Sequence, residues 1–574
     1  MAVRRPLRAA PAGPAVPAGR EPTGGGRHAH VRGDHQPHRP PGTERPGAPP
    51  ARPAGSPPGA RPAHRCRAGA RRPGDRGALR NGVGGARLPR RAAAAAALRP
   101  AAAAPAGPAG PYAVSAAADH RELSFWHDSL PGALEARPAL QGETRCDVVI
   151  VGAGYTGLWT AWYLKLLEPA LAVTLVEAET AGFGASGRNG GWCSAWLSGI
   201  EHWLDDPAQR EGAIRLQRLM FQTVGDVGAV AAGQALDCHY ERSGALQVAV
   251  NPAQVERLDQ ELRYVRALGF DDADYRWLDR QEIAETLGVA GALAAIHLPH
   301  CAAIHPARLA RGLAERLERI GVAIHEQSPV LEWGPGMART ARGRVLADSV
   351  VLATEGYGAT LAGLERRLIP VHSMMVATEP LPDELLEQLH FGRRYCFGNL
   401  DRIVTYGQRT ADQRITFGCR GRYFYGSRTR RRFDDADPEF ALVRSTLLRF
   451  FPALRDVRFT HAWGGALGVS RSLRPAVCFD ARRRLGWAGG YFGNGVAAAH
   501  LAGQTLADLV LGRDSERLHT PWVNPPGAGR AWEPEPLRWL GFRAARALME
   551  RADRAEYDGR SAARLQKLID GLLG

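Results

Sequence analysis

The chain has 574 residues, enough for two or more domains, and its 45% hydrophobic content supports a large core. Its formal charge of +16 does not mark a nucleic-acid binder, because residues 1–115 hold 20 of the 74 Lys and Arg and 4 of the 58 acids, leaving 54 of each for the rest. No uninterrupted apolar run approaches the roughly 18 residues of a membrane helix, and eight scattered cysteines without a C-x-x-C pair fit reduced thiols in a cytoplasmic protein, with no metal site.

Residues 1–118 are low in complexity, rich in Ala, Pro, Arg and Gly, and poor in the aromatic residues that anchor a core, so a disordered tail is expected. Arg4-Arg5 is followed by Pro6 and no apolar stretch, which excludes an export signal of the twin-arginine kind. His28, His30, His35 and His38, and the tripeptide Arg32-Gly33-Asp34, are accidents of so biased a composition. Val114 directly precedes the first ordinary sequence and is a candidate start position.

His120–Leu130 mixes charges with Phe125 and Trp126 and reads as a leader packed on the domain that follows. The chain is then organised around Cys146–Glu177. Val148–Val151 is a buried parallel-type strand, and it runs directly into Gly152, Gly154 and Gly157 in G-x-G-x-x-G spacing. Leu158–Leu166 continues as a helix of about three turns that stops before Pro169. Ala172–Val176 is the next strand, and it ends on Glu177. This is a dinucleotide cradle: Gly152 permits the tight turn, Gly154 lets backbone approach a pyrophosphate, and Gly157 allows helix–strand packing. The helix N-terminus supplies free N–H groups. A carboxylate at Glu177 can accept from an adenosine ribose and disfavours the phosphate of NADP.

Ala181–Ser194 holds five glycines with Ser186, Arg188 and Asn189, and is expected as a ligand-approaching loop. Helices are expected over Pro207–Gly233, Pro252–Leu268, Trp277–Leu287 and Ala307–Ile320. Strands are expected at Gly244–Val250, Val322–Glu326, Pro329–Trp333 and Val345–Ala353. Leu368–Glu379, Ile403–Gly407, Arg414–Cys419 and Val457–Trp463 follow with few helices between them, the pattern of a largely antiparallel sheet inserted into an α/β domain. Leu485–Ala488 is a last strand. It opens into Gly489–Val496 and a small-residue helix from Ala497 to Leu511, a second strand–glycine–helix unit aimed at a ligand. Leu537–Leu573 is amphipathic, with acids interleaved among arginines, and packs on the body rather than on a membrane.

Three stretches together, the βαβ unit ending at Glu177, GFGASGRNGG at Gly182–Gly191 and GGYFGNGV at Gly489–Val496, resemble the glycine/D-amino-acid oxidase family of FAD enzymes, and within it the γ-glutamylputrescine oxidoreductase branch. The resemblance runs from about His120 to Leu511. It implies an α/β fold, α+β overall: a Rossmann-like FAD domain at 119–235, 302–365 and 461–515, a substrate domain at 236–301 and 366–460, and a helical extension at 516–574. It also implies site residues. Gly152, Ala153, Gly154, Tyr155, Thr156 and Gly157 would meet the FAD pyrophosphate, and Glu177 and Ala178 the adenosine ribose. Ser186, Gly187, Arg188, Asn189 and Gly190 would run beside the ribityl chain and ring. Val330 would contact adenine through its backbone, and Ala353 and Thr354 would form the strand-end turn. Gly490, Gly493, Asn494, Gly495 and Val496 would sit at the pyrimidine edge. Glu355 is a departure, since the family usually carries a small residue there.

The implied reaction is oxidation of the C–N bond of an amine or amino acid, with hydride transfer to flavin N5, hydrolysis of the imine, and reoxidation by dioxygen or another acceptor. The partners are therefore a small amine and an electron acceptor. His305, at a strand-to-helix turn that the resemblance places beside the cofactor, is a candidate proton acceptor. Tyr491 and Phe492 are candidate apolar walls, and Arg420, Tyr425 and Arg474 candidate anchors for a carboxylate. Two other classes stay open at this point. An NAD-dependent dehydrogenase shares the first motif but needs neither later glycine stretch, and a flavin-binding protein without activity would carry all three. Within the same fold, sarcosine, glycine and D-amino acids are alternative substrates.

Overall fold

The computed structural model describes residues 120–524 and 529–573. The expected tail, its histidines and Val114 lie outside the described residues.

The sheet that positions the site is built on Gly142–Val151, whose inner half is buried on both faces, as its β-branched run requires. Val173–Val176 pairs parallel on one side of it and Gly343–Leu352 parallel on the other. Ala323–His325 extends the first side. Leu485–Gly489 and then antiparallel Ala476–Asp480 extend the second. A hairpin, Val330–Gly334 with Met337–Thr340, folds back on Gly343–Leu352. The first strand thus has a later strand on each flank, the switch point where an open α/β sheet leaves a crevice at the strand ends. The register makes that crevice specific. Val151 is opposite both Val176 and Leu352, so Gly152, Glu177 and Ala353 emerge at one edge.

Helix Tyr155–Leu167 leaves this edge and packs against Gly495–Leu511. The two cross closely at Gly503, where a Cβ would come within 2.7 Å of the Trp159 backbone. Both helices are apolar nearly all round because both are enclosed.

The second sheet has the order Phe459–Ser470, Leu368–Thr378, Ile415–Tyr423, Thr405–Arg409, Cys396–Asn399, Ala245–Ala249, Ala294–Leu298, Arg276–Leu278. Every pairing is antiparallel except that of Cys396–Asn399 with Ala245–Ala249. Alternation along its strands divides its two faces. Leu246, Val248, Met374, Val376, Phe397 and Phe417 point into a core closed by helix Pro438–Phe450. Gln247, Ser373, Gly398, Tyr406 and Arg420 point the other way, into the cavity described below. Phe459–Ser470 straddles the boundary drawn at residue 460 and is an edge of this second sheet. The fold is therefore mixed α/β, with a mostly antiparallel sheet inserted between segments of the parallel one.

Local differences from the sequence reading have simple causes. Trp277–Leu287 is not one helix: Arg276–Leu278 is a strand, and Asp279 caps a helix at Arg280–Thr286 through a capping box with Glu282. The Ala181–Ser194 segment contains a helical turn, Ala185–Arg188, and a strand, Trp192–Ser194, that pairs with Cys301–Ala303. Ala294–Leu298 and Met337–Thr340 are strands too short and mixed to show a period. Helices Leu537–Tyr557 and Ala563–Leu573 close the chain. The first is held to the body by Arg257 and Arg402, which pair with Glu556 and Asp553. No helix among the described residues is long and apolar enough to cross a membrane.

Candidate active site

A cavity of about 1010 Å³ begins at the crevice and passes under the second sheet. Its floor at the crevice is backbone. Gly152 has φ +105°, and a Cβ there would lie 2.7 Å from the Ala353 carbonyl. At Gly157 a Cβ would lie 2.0 Å from the Gly152 carbonyl, so the helix can start this close to the strand only with glycine at that position. Gly154 is the N-cap and brings no side-chain cap, while Tyr155 donates its N–H to Ser186 Oγ at 2.9 Å. A second helix N-terminus, capped by no side chain at Asn494, opens on the same cavity. Two bundles of N–H groups and two helix dipoles therefore face the cavity, an arrangement suited to an anionic ligand.

Glu177 lies at the cavity wall. Its carboxylate accepts from Ala153 N at 2.7 Å and from Glu179 N at 3.0 Å, and burial raises its pKa to about 7. Each oxygen keeps a lone pair for a further donor such as a ribose hydroxyl. Ala178, Val330, Ala353 and Thr354 line this end, and the Thr354 hydroxyl has no partner among the described residues. Arg188 is fully buried. It donates to the Arg431 carbonyl at 3.3 Å and to Tyr357 Oη, lies 4.7 Å over the Phe183 ring, and leaves Nε unpartnered. No carboxylate among the described residues pairs with it, and a buried guanidinium of this kind suits an anionic ligand. Asn189 and Gly190 line the cavity beside it. Trp126, Trp463 and Gln408 fix this loop by donating to the carbonyls of Asn189, Arg188 and Gly190 at 2.8, 3.0 and 3.1 Å.

Beyond lie Tyr491, Phe492, Gly493, Asn494, Gly495 and Val496. Tyr491 Oη bonds Thr156 Oγ1 at 3.0 Å, tying the late glycine turn to the first helix. Glu355, in a left-handed conformation at φ +45°, accepts from Gly490 N at 3.0 Å and Tyr491 N at 3.2 Å. Its carboxylate fits only because Gly468 has no side chain: a Cβ there would lie 1.9 Å from Oε2. Burial raises Glu355 to about 7. Arg420 rests on this turn, its guanidinium 4.9 Å over the Phe492 ring. No acid among the described residues pairs with it, its Nε lacks a partner, and burial lowers its pKa.

Most expected site residues thus converge. Gly157 and Gly187 do not line the cavity but make close packing contacts; a Cβ at Gly187 would lie 2.2 Å from the Gly182 carbonyl. Ala153 reaches the site through its N–H to Glu177. Gly490 likewise acts through its N–H to Glu355. His305 is placed elsewhere. It is the buried N-cap of Pro306–Arg319, with Nδ1 accepting from Arg308 N at 3.2 Å and Nε2 bonded to Ser129 Oγ at 3.0 Å. It lies outside the cavity lining, and burial together with His239 and Arg308 holds its pKa well below the ordinary histidine value. Arg474 is also outside, its guanidinium 5.6 Å over Trp203. Tyr425 is exposed against Trp539. In their place the second sheet supplies Ser373, Tyr406 and Gln247, and the glycine loop supplies Trp192. These had no motif. For the three on the second sheet, only their period-2 position opposite the core-facing residues marks them, and that becomes informative once the sheet's faces are known.

A parallel sheet with a glycine turn at its switch point and an acid on the neighbouring strand end defines a dinucleotide-binding protein, and the second glycine turn with a roofing sheet places it among flavin-type oxidoreductases. The comparisons agree. The family profile described as "DAO: FAD dependent oxidoreductase" matches residues 147–509. The γ-glutamylputrescine oxidoreductase of Escherichia coli (strain K12) is 32% identical over 383 residues, 65% of this chain and 85% of that protein. A probable oxidoreductase, OrdL, of Haemophilus influenzae is 29% identical over 412 residues, 69% and 89% of the two chains. Among solved structures, glycine oxidase from Geobacillus kaustophilus superposes with a TM-score of 0.54 at 20% identity, covering 65% of this chain and 96% of that one, which supports the fold. The chain belongs to the DAO family of FAD-dependent oxidoreductases. It is an enzyme of amine or amino-acid oxidation with FAD as its cofactor, and the buried Arg188 guanidinium with no carboxylate partner among the described residues, the open helix N-termini and the side-chain-free cradle are the features that fit that group.

Proposed function

We propose that the protein oxidises the C–N bond of a γ-glutamylputrescine-like amine, with dioxygen as the final acceptor. The observation that carries this reading is the part of the cavity beyond the second glycine turn. There Arg420, a buried cation without a carboxylate partner among the described residues, lies over Phe492 on the roofing sheet. A guanidinium so placed recognises a substrate carboxylate by charge-assisted hydrogen bonds, which supports a carboxylate-bearing amine; the γ-glutamylputrescine-like character of that amine is supported by the likeness to the Escherichia coli γ-glutamylputrescine oxidoreductase.

Bound FAD supplies the two-electron acceptor chemistry. The chain's own part is to hold and dry the site. Gly152, Gly154, Tyr155, Glu177, Ser186, Arg188 and Asn189 would bind the cofactor, with Val330, Ala353 and Thr354 at its adenosine side and Gly493 to Val496 at its ring. Tyr491, Phe492, Trp192 and Tyr406 enclose the reacting end with apolar rings, which excludes water and fixes the C–H of the substrate. Arg420 orients the substrate by its anion. With His305 capping a helix elsewhere, no histidine of the cavity lining takes a proton, and the substrate enters as the neutral amine. The seven cysteines among the described residues are all free and buried, which supports a reducing, cytoplasmic setting.

Anaerobic addition of a panel of amines to the flavin-loaded protein tests this. Bleaching of the flavin by γ-glutamylated or other carboxylate-bearing amines, and recovery on admitting air, is expected. A spectrum unmoved by every amine refutes the oxidase reading, and bleaching that air does not reverse refutes dioxygen as acceptor.

A further inference from the structure

The cavity does not end at Arg420. Along Gly398–Asp401 it continues into an arm between the second sheet and helix Pro252–Ala267. Arg257, Gln260, Glu261 and Tyr264, one face of that helix, line the arm, as do Gln247 and Asp401.

The charges of this arm do not cancel. Arg257 is spent on Glu556 in a bidentate pair, both bonds 2.9 Å. Tyr264 donates to Asp205 at 2.8 Å. Asp401 accepts from Gln254 Nε2 at 2.7 Å and Tyr557 Oη at 3.1 Å, and burial raises its pKa to about 6 even with Arg449 nearby. Glu261 has neither a hydrogen-bond nor an ion-pair partner among the described residues, although it is enclosed enough for burial alone to raise its pKa to about 7. Gln247 Oε1, on the second sheet, is a buried acceptor without a donor among the described residues. Both groups line the same cavity: the Gln247 carbonyl oxygen is a buried acceptor awaiting an N–H group, which is costly to leave unmet, and the Glu261 carboxyl has no partner among the described residues. Neutral side chains would close such a space at less cost, so the arm is shaped for a ligand that brings the donors and the positive charge.

We propose that this arm is a subsite for a second, cationic nitrogen, so that the preferred substrates carry an ammonium group at the end remote from the C–N bond being oxidised. Glu261 is its principal anion, and Gln247 and Asp401 supply further acceptors. The proposal rests on the oxidase reading for the placement of the reacting end, but the subsite itself needs only binding.

Calorimetric titration of the flavin-loaded full chain under nitrogen separates the two. The probes are unbranched α,ω-diaminoalkanes from diaminobutane to diaminooctane, each paired with the monoaminoalkane of equal length, with the flavin spectrum recorded in parallel. A diamine of matching length should bind at least about tenfold more tightly than its monoamine, the scale of one charge-assisted hydrogen bond. Glu261→Gln, which keeps the side chain's shape, should erase most of that ratio while flavin content and melting temperature hold. Asp401→Asn should reduce it less. A diamine that binds with this ratio but leaves the flavin oxidised upholds the subsite and counts against the oxidase reading. Flavin reduction with equal affinity for diamine and monoamine, or a ratio untouched by Glu261→Gln, overturns the subsite; absence of binding by every diamine overturns it as well.

Discussion

Glu355→Gln isolates one carboxyl whose burial has a readable cost. The side chain accepts two backbone N–H groups of the late glycine turn and sits where Gly468 leaves room, and glutamine can keep both acceptor contacts through its carbonyl oxygen. Burial raises the carboxyl from 4.5 to about 7 in the folded protein. The folded state therefore binds a proton that the unfolded state has released, so this group's contribution is fully present below about pH 4.5 and is lost as pH rises through about 7. The loss amounts to about 3 kcal/mol, as an order of magnitude. Glutamine does not titrate. The melting temperature of Glu355→Gln relative to wild type should accordingly rise between pH 5 and pH 8. With an unfolding entropy of about 2 cal/mol/K per residue over roughly 450 residues, the relative gain is about 3 °C. Differential scanning calorimetry of the two flavin-loaded proteins across this range provides the measurement. Parallel curves would refute the claim that Glu355 is held partly protonated by burial.

His305→Ala removes an N-cap, not a base: it should cost about 1 kcal/mol of stability and leave the pH profile of kcat unchanged, and loss of an acidic limb in that profile would restore the histidine to the reaction. Gly157→Ala forces a Cβ to within 2.0 Å of the Gly152 carbonyl; the displaced helix start should yield protein purified largely without flavin, as read from the absorbance ratio, and full flavin content would refute the packing role. Arg420→Met should raise KM for carboxylate-bearing amines by about tenfold to a hundredfold, the range of a lost charged hydrogen bond, with a smaller effect on amines lacking a carboxylate; equal effects on both would dismiss it as the anchor.

What could be read in the sequence was whatever rests on local chain geometry. Val148–Val151, the glycine spacing, the helix to Leu166 and the strand ending at Glu177 form a contiguous unit, and neighbouring residues fix their own relative placement. The same holds for Leu485–Leu511. Parts of the site that need a partner from far along the chain were not legible. His305 looked catalytic from its position before a helix, but the Ser129 hydroxyl, 176 residues away, turns it into a sealed cap. Arg420 and Arg474 were equal candidates for a carboxylate anchor; sheet register brings one over Phe492, and the other stacks on Trp203. Glu355 read as a misplaced charge until Gly468 and the N–H groups of Gly490 and Tyr491 were brought around it.

The sequence by itself determined the dinucleotide cradle and the sheet types, because hydrophobic period and glycine spacing act over a few residues; the family rested on the resemblance of three separate stretches taken together. Only the tertiary structure decided which face of the second sheet looks into the cavity. A strand's two faces differ by a single residue of phase, and which one is buried against helix Pro438–Phe450 depends on packing across the whole domain. That choice places Tyr406, Ser373 and Arg420 at the reacting end, and Gln247 with Glu261 and Asp401 in the acidic arm beyond it.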